Sequence, residues 1–119
     1  METSNADPNP SPSTSEAPIA YVDEDLKPFL PEFFDNRRKD IVAIRPAVDC
    51  RDLYVPKRLG HNMKGCGSGY GFDEITSIGG RVEEAAKKSD FDEILRCARR
   101  LESYLSRVRV VFGPAPDSE

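Results

Sequence analysis

The sequence contains no Trp, one His and three Cys. A single imidazole excludes sites built from several histidines, so any imidazole chemistry rests on His61. Cys50, Cys66 and Cys97 form no C-x-x-C pair, the common spacing of zinc and redox thiols. There is no basic surplus: 17 Lys and Arg face 21 Asp and Glu, a net charge of −4. A nucleic-acid binder would carry excess positive charge, so no nucleic-acid partner is expected. No apolar run approaches the roughly 20 residues that cross a bilayer. No basic segment followed by an apolar core opens the chain, as a secretion signal would. A cytoplasmic protein with reduced thiols and no membrane partner is expected.

The 119 residues suffice for one domain. Residues 1–18 are rich in Ser, Thr, Asn and Pro and, after Met1, hold no large apolar side chain. Such a segment cannot bury enough surface to offset the entropy of ordering it, so a disordered leader is expected. Residues 113–119 begin with Gly113-Pro114-Ala115-Pro116 and read as a flexible tail. The folded part is expected at 19–112. Glu2, Asp7, Glu16, Asp117 and Glu119 place the surplus acid in the tails, with no base beside them. The stretch between is close to neutral.

Between the tails the apolar spacing is helical. After Pro31, Phe33, Phe34, Arg37, Ile41 and Ile44 fall at steps of three and four. Pro31 suits a first turn, and Pro46 ends this helix or distorts its last turn. A second helix begins near Asp52, holds Pro56 in its first turn and carries Val55, Leu59, Met63, Cys66 and Tyr70. Gly71 is its breaker. A third helix, Asp73–Lys88, places Ile75, Ile78, Val82 and Ala86 on one stripe. Gly79-Gly80 inside it costs about 1 kcal/mol per residue relative to Ala. Close approach of a neighbouring helix, or a bend, would account for that cost. Asp90 and Glu93 have capping-box spacing. The last helix then carries Ile94, Leu95, Ala98, Leu101 and Leu105, and its phase continues through Val108 to Phe112, a run whose short strand-like pattern is the only one that competes with the helix. A short helix opened by Asp23 precedes Pro28. The expected fold is all-α: an antiparallel four-helix bundle with a short extra N-terminal helix. No heptad seam is present, so a monomer is expected.

His61 occupies an unusual position. At about 100° per residue, Leu59, Met63, Cys66 and Tyr70 share one face of the second helix. His61 lies about 160° from Leu59, with Lys64, Gly65 and Ser68 on its own side. The apolar stripe takes the core, so His61 faces solvent or a partner. A surface histidine without function is the bland reading. Against it stand Gly65, which removes a side chain beside the ring at a cost in helix stability, and Lys64, which brings a cation one turn away. A bare approach surface with a cation suits receipt of an anion. Neutral imidazole is nucleophilic at neutral pH without a separate base, so transient phosphorylation fits. No base or substrate pocket is evident nearby, and no turnover by the chain alone is expected.

Gly60-His61-Asn62-Met63-Lys64-Gly65, the Gly/Ser run after it and Tyr70-Gly71-Phe72 resemble the signature of histidine phosphotransfer (HPt) domains of bacterial phosphorelays. The resemblance spans about Val22 to Phe112. It implies that His61 accepts a phosphoryl group from a receiver-domain aspartate and passes it on. Lys64 would orient and neutralise that group, and Gly65 would admit the receiver. Glu83 matches the position from which a polar residue, often Gln, bonds the far ring nitrogen. A carboxylate there would hold that proton more strongly. The implied partners are a response-regulator receiver domain and a sensor or hybrid histidine kinase. No cofactor is implied in this chain, and the divalent metal would sit on the receiver.

Other patterns read differently. His61 and Cys66 point about 140° apart on a helix, so zinc is not expected. Cys66 and Cys97 read as small buried apolar residues. The glycine run lacks the preceding strand and the Lys-Ser/Thr of a phosphate loop. The Arg residues of the last helix alternate with acids and read as a solvated face. Lys57 and Arg58, one turn before His61, together with Ser68, are candidates for partner contact. Two functions remain open: a phosphorelay carrier, and a four-helix module that binds a receiver or kinase without carrying phosphate. A purely structural bundle would leave the glycines on the His61 face unexplained.

Overall fold

The computed structural model describes residues 17–114. The expected leader up to residue 16 and the tail from residue 115 lie outside the described residues. Four helices form the body: α1 (Leu30–Asp49), α2 (Tyr54–Gly67), α3 (Asp73–Lys87) and α4 (Phe91–Arg107). The fold is an all-α bundle, with two short strands added at its ends. Among the described residues no helix is long and apolar enough to cross a membrane.

Local chemistry sets the helix ends. Pro31 lies in the first turn of α1, where its missing N–H costs nothing. Pro46 does not end α1, which runs on to Asp49 with the proline near its end. Closure follows at Arg51, whose φ of 62° is left-handed. Arg51 N–H donates to Val48 O and Asp52 N–H to Ala47 O, a six-residue closing pattern made without glycine. Ser89 (φ 55°) closes α3 the same way. The Asp52 carboxylate accepts the Tyr54 and Val55 amides and so starts α2. Asp90 accepts the Glu93 amide at 3.1 Å and caps α4. The reciprocal half of a capping box is not made, because the Glu93 carboxylate pairs with Arg96 at 2.8 Å.

Cross-helix pairs give the directions. Phe33 stacks on Tyr70, while Arg37, one turn later, reaches Cys66, so α1 and α2 run opposite ways. Glu74 meets Arg100 and Arg81 meets Glu93, which makes α3 and α4 antiparallel. A core of Ile44, Met63, Phe72, Ile75, Ile78, Ile94 and Leu101, each fully buried, lies between the helices.

Helices α2 and α3 approach closely through glycine. A Cβ on Gly79 would stand 2.6 Å from Lys64 N and 2.7 Å from Gly60 O. A Cβ on Gly60 would stand 2.7 Å from Glu83 N. Close approach therefore accounts for Gly79. Gly80 has no such need: its Cβ would meet only the Lys64 Cδ at 3.6 Å.

Three expectations need correction. The helical phase that leads to Phe112 breaks at Val108, which is extended (φ −64°, ψ 137°). Arg109–Phe112 is instead a strand, β2, paired in parallel with β1 (Ile19–Val22) in the register Ile19↔Arg109 to Val22↔Phe112. The β-branched Val108, Val110 and Val111 favour extended backbone once a partner strand is present. The short N-terminal helix is a 3-10 helix, Glu24–Phe29, which includes Pro28 and is capped by Asp23. The α2 helix stops at Gly67, and Tyr70 belongs to a 3-10 turn, Ser68–Tyr70, closed by Gly71 at φ 95°.

Candidate functional site

His61 projects from the middle of α2 with its side chain 67% exposed. Its position follows from helical phase: Leu59 and Met63 of the same helix are buried. Across the glycine seam, Glu83 of α3 is nearly buried, with a side chain 10% exposed. One carboxylate oxygen, Oε2, lies 3.1 Å from His61 Nδ1. The other, Oε1, lies 2.9 Å from Lys64 Nζ. The Lys64 ammonium, bonded to Glu83, holds the carboxyl below its ordinary value, and the His61 bond adds to this. Burial opposes both without reversing them.

The carboxylate accepts a proton and has none to give, so Nδ1 of the ring carries the hydrogen. The lone pair is then on Nε2. Among the described residues Nε2 has no partner. One turn along α2, Gly65 is exposed, and a Cβ there would meet no atom within 4 Å. The approach to the ring from that side is open.

The structure thus brings His61, Lys64 and Glu83 together and leaves Gly65 bare beside them. Lys57 and Arg58 are exposed on the preceding turn, and Ser68 is exposed just past the end of α2. Among the described residues none of these three makes a hydrogen bond or ion pair with His61. Cys97 is buried, and desolvation, then the neighbouring Glu93, push its thiol up to about 11. Cys66 is half-buried, short of the full burial expected, and its sulfur accepts a bond from Arg37 Nη1 at 3.1 Å. Among the described residues no three His, Cys, Asp or Glu side chains are grouped to hold a metal ion.

A groove of about 620 Å³ runs beside His61 between α1 and α2. His61, Asn62, Gly65 and Cys66 form one wall; Phe29, Phe33 and Arg37 contribute to the other. Arg37 was not among the site residues expected from sequence. The signal was present, since Arg37 is the one charged residue in the apolar stripe of α1. Its acid partner Asp40 is buried, and that pairing has no periodicity to reveal it.

No family model matches the chain, and no curated protein and no solved structure matches it either.

Proposed function

We propose that this chain is a phosphohistidine carrier, which takes a phosphoryl group from a receiver-domain aspartate onto His61 and returns it to another. The observation that carries this reading is the exposed imidazole whose Nδ1 is bonded to Glu83 and whose Nε2 is free beside bare Gly65. The resemblance of residues 60–72 to histidine phosphotransfer domains supports the same reading.

In this mechanism Nε2 attacks the phosphorus of an aspartyl phosphate in line with the departing oxygen. The N–P bond forms as the P–O bond to the aspartate breaks, and the carboxylate leaves with the electron pair. The attacking ring was neutral and becomes cationic, still holding its Nδ1 proton. Glu83, 3.1 Å from that nitrogen, balances the new charge in place. Reverse transfer restores the neutral ring. Among the described residues no other base bonds the ring, so the partner supplies the remaining groups and its own divalent metal. A cytoplasmic location is part of the same proposal.

The test is phosphate uptake from phosphoramidate and from phosphorylated receiver domains, with His61→Gln in parallel. Acid-labile, base-stable phosphate on the wild type alone is the expected result. A folded wild type that binds a receiver and takes no phosphate would instead make it an interaction module.

A further inference from the structure

Arg37 faces the groove beside His61 in a fixed orientation. Its side chain is 11% exposed. Its Nε donates to Asp40 Oδ2 at 2.9 Å, and its Nη1 donates to Cys66 Sγ at 3.1 Å. The guanidinium lies 5.0 Å from the centre of the Phe33 ring. Three contacts hold the plane of the fork, so little rotamer freedom remains to be lost on binding. Nη2 has no partner among the described residues. Its unused hydrogens reach solvent on the groove side, so an oriented, charged donor is available to an acceptor that enters the groove.

The charge around it has a consistent sign. Asp40 offsets Arg37, but Arg58 also acts on Asp40, which leaves a positive excess. Helix α2 carries Lys57, Arg58 and Lys64 and no acid, in a protein of net charge −4. Each of the other three helices carries acids. The one acid lining the groove is Glu32, exposed to water that screens it. Lys64, three residues beyond His61, is already bonded to Glu83.

We infer that Arg37 is a positioning residue that binds a carboxylate of the partner receiver domain in the groove and so aligns the receiver with His61. This rests on the carrier reading above. Lys57 and Arg58 attract the acidic partner at longer range, which acts on association rate. Arg37, short-range and oriented, acts on the lifetime of the docked complex. The aromatic wall of Phe29, Phe33 and Tyr70 excludes water from that contact.

Arg37→Met alone would leave Asp40 buried and unpaired, with a large stability penalty. The double variant R37M/D40N removes both charges together. Arg37→Lys keeps a charge beside Asp40 and loses the planar fork. Each is compared with the wild type for thermal melting, for uptake from phosphoramidate, and for transfer from a panel of phosphorylated receiver domains. Both variants are expected to fold and to take phosphate from phosphoramidate, which docks no protein. For receivers, KM should rise by about tenfold or more with kcat changed far less. An unchanged KM in both folded variants overturns the role of Arg37 and leaves the carrier reading standing. Failure of the wild type to take phosphate from any donor overturns both.

Discussion

At Glu83 one carboxylate serves two donors, and the consequence is measurable against pH. Its carboxyl is held below the ordinary value of 4.5, chiefly by Lys64 and then by His61. A lowered acid contributes stability in full above that ordinary value and loses it as pH falls through the folded-state value. Glu83→Gln removes the titration and keeps an amide oxygen for the His61 N–H. The stability gap between wild type and E83Q should therefore close as pH falls below 4.5. Urea midpoints across that range check the sign, and a gap that widens in acid would contradict it. Phosphate uptake should fall modestly in E83Q and much further in Glu83→Ala, which has no acceptor for Nδ1–H. Much of this site was legible in the sequence. The outward phase of His61 follows from Leu59 and Met63 alone. The partner Glu83 follows only from the resemblance, because no periodicity within α2 reports what faces it from α3.

Between helices α2 and α3, glycines with the same sequence signature have opposite meanings. Gly79 and Gly80 are adjacent and carry the same propensity cost of about 1 kcal/mol against Ala. Only Gly79 is pressed against the backbone of the neighbouring helix, 2.6 Å from Lys64 N at its would-be Cβ. Gly79→Ala must push the helices apart. Overpacking of that kind costs about 1–3 kcal/mol, partly offset by helix propensity. Gly80→Ala meets only the end of a flexible side chain and should gain about 0.5–1 kcal/mol. Denaturant midpoints should therefore move in opposite directions for the two variants. Uptake at His61 should drop in G79A, because the seam sets the reach of Glu83 to Nδ1. Equal shifts in both variants would show that the seam is not tight. The sequence announces two costly glycines, and the choice between them depends on the rotation of α3 against α2, a relation between elements.

Across the whole molecule, the two ends of the described chain hold each other. Strand β1 turns Ala20 and Val22 into the core, 3% and 0% exposed. Backbone bonds close the pair at both limits: Arg109 N–H donates to Pro18 O, just before β1, at 2.8 Å, and Gly113 N–H, just after β2, to Val22 O at 2.9 Å. Strand β1 has no signal in the sequence, and the strand-like run Val108–Phe112 is outweighed there by the helical phase. Four residues are too few to show alternation, and Val108 and Phe112 continue the α4 stripe in phase. Only the return of residues 19–22 to the same end of the bundle makes extended backbone the better state, and that return is a property of the finished fold. A chain beginning at Asp23 would test the coupling. Loss of the buried Val22 and Ala20 should cost about 2–4 kcal/mol. Amide exchange at Arg109 and Gly113, far along the chain from the deletion, should rise to nearly unprotected rates. The His61–Glu83 contact bridges α2 and α3 and uses neither strand, so phosphate uptake should persist well below the lowered melting point. Retained protection at Arg109 and Gly113 would mean that β2 holds its shape by packing on the helices, with β1 as a passive cover.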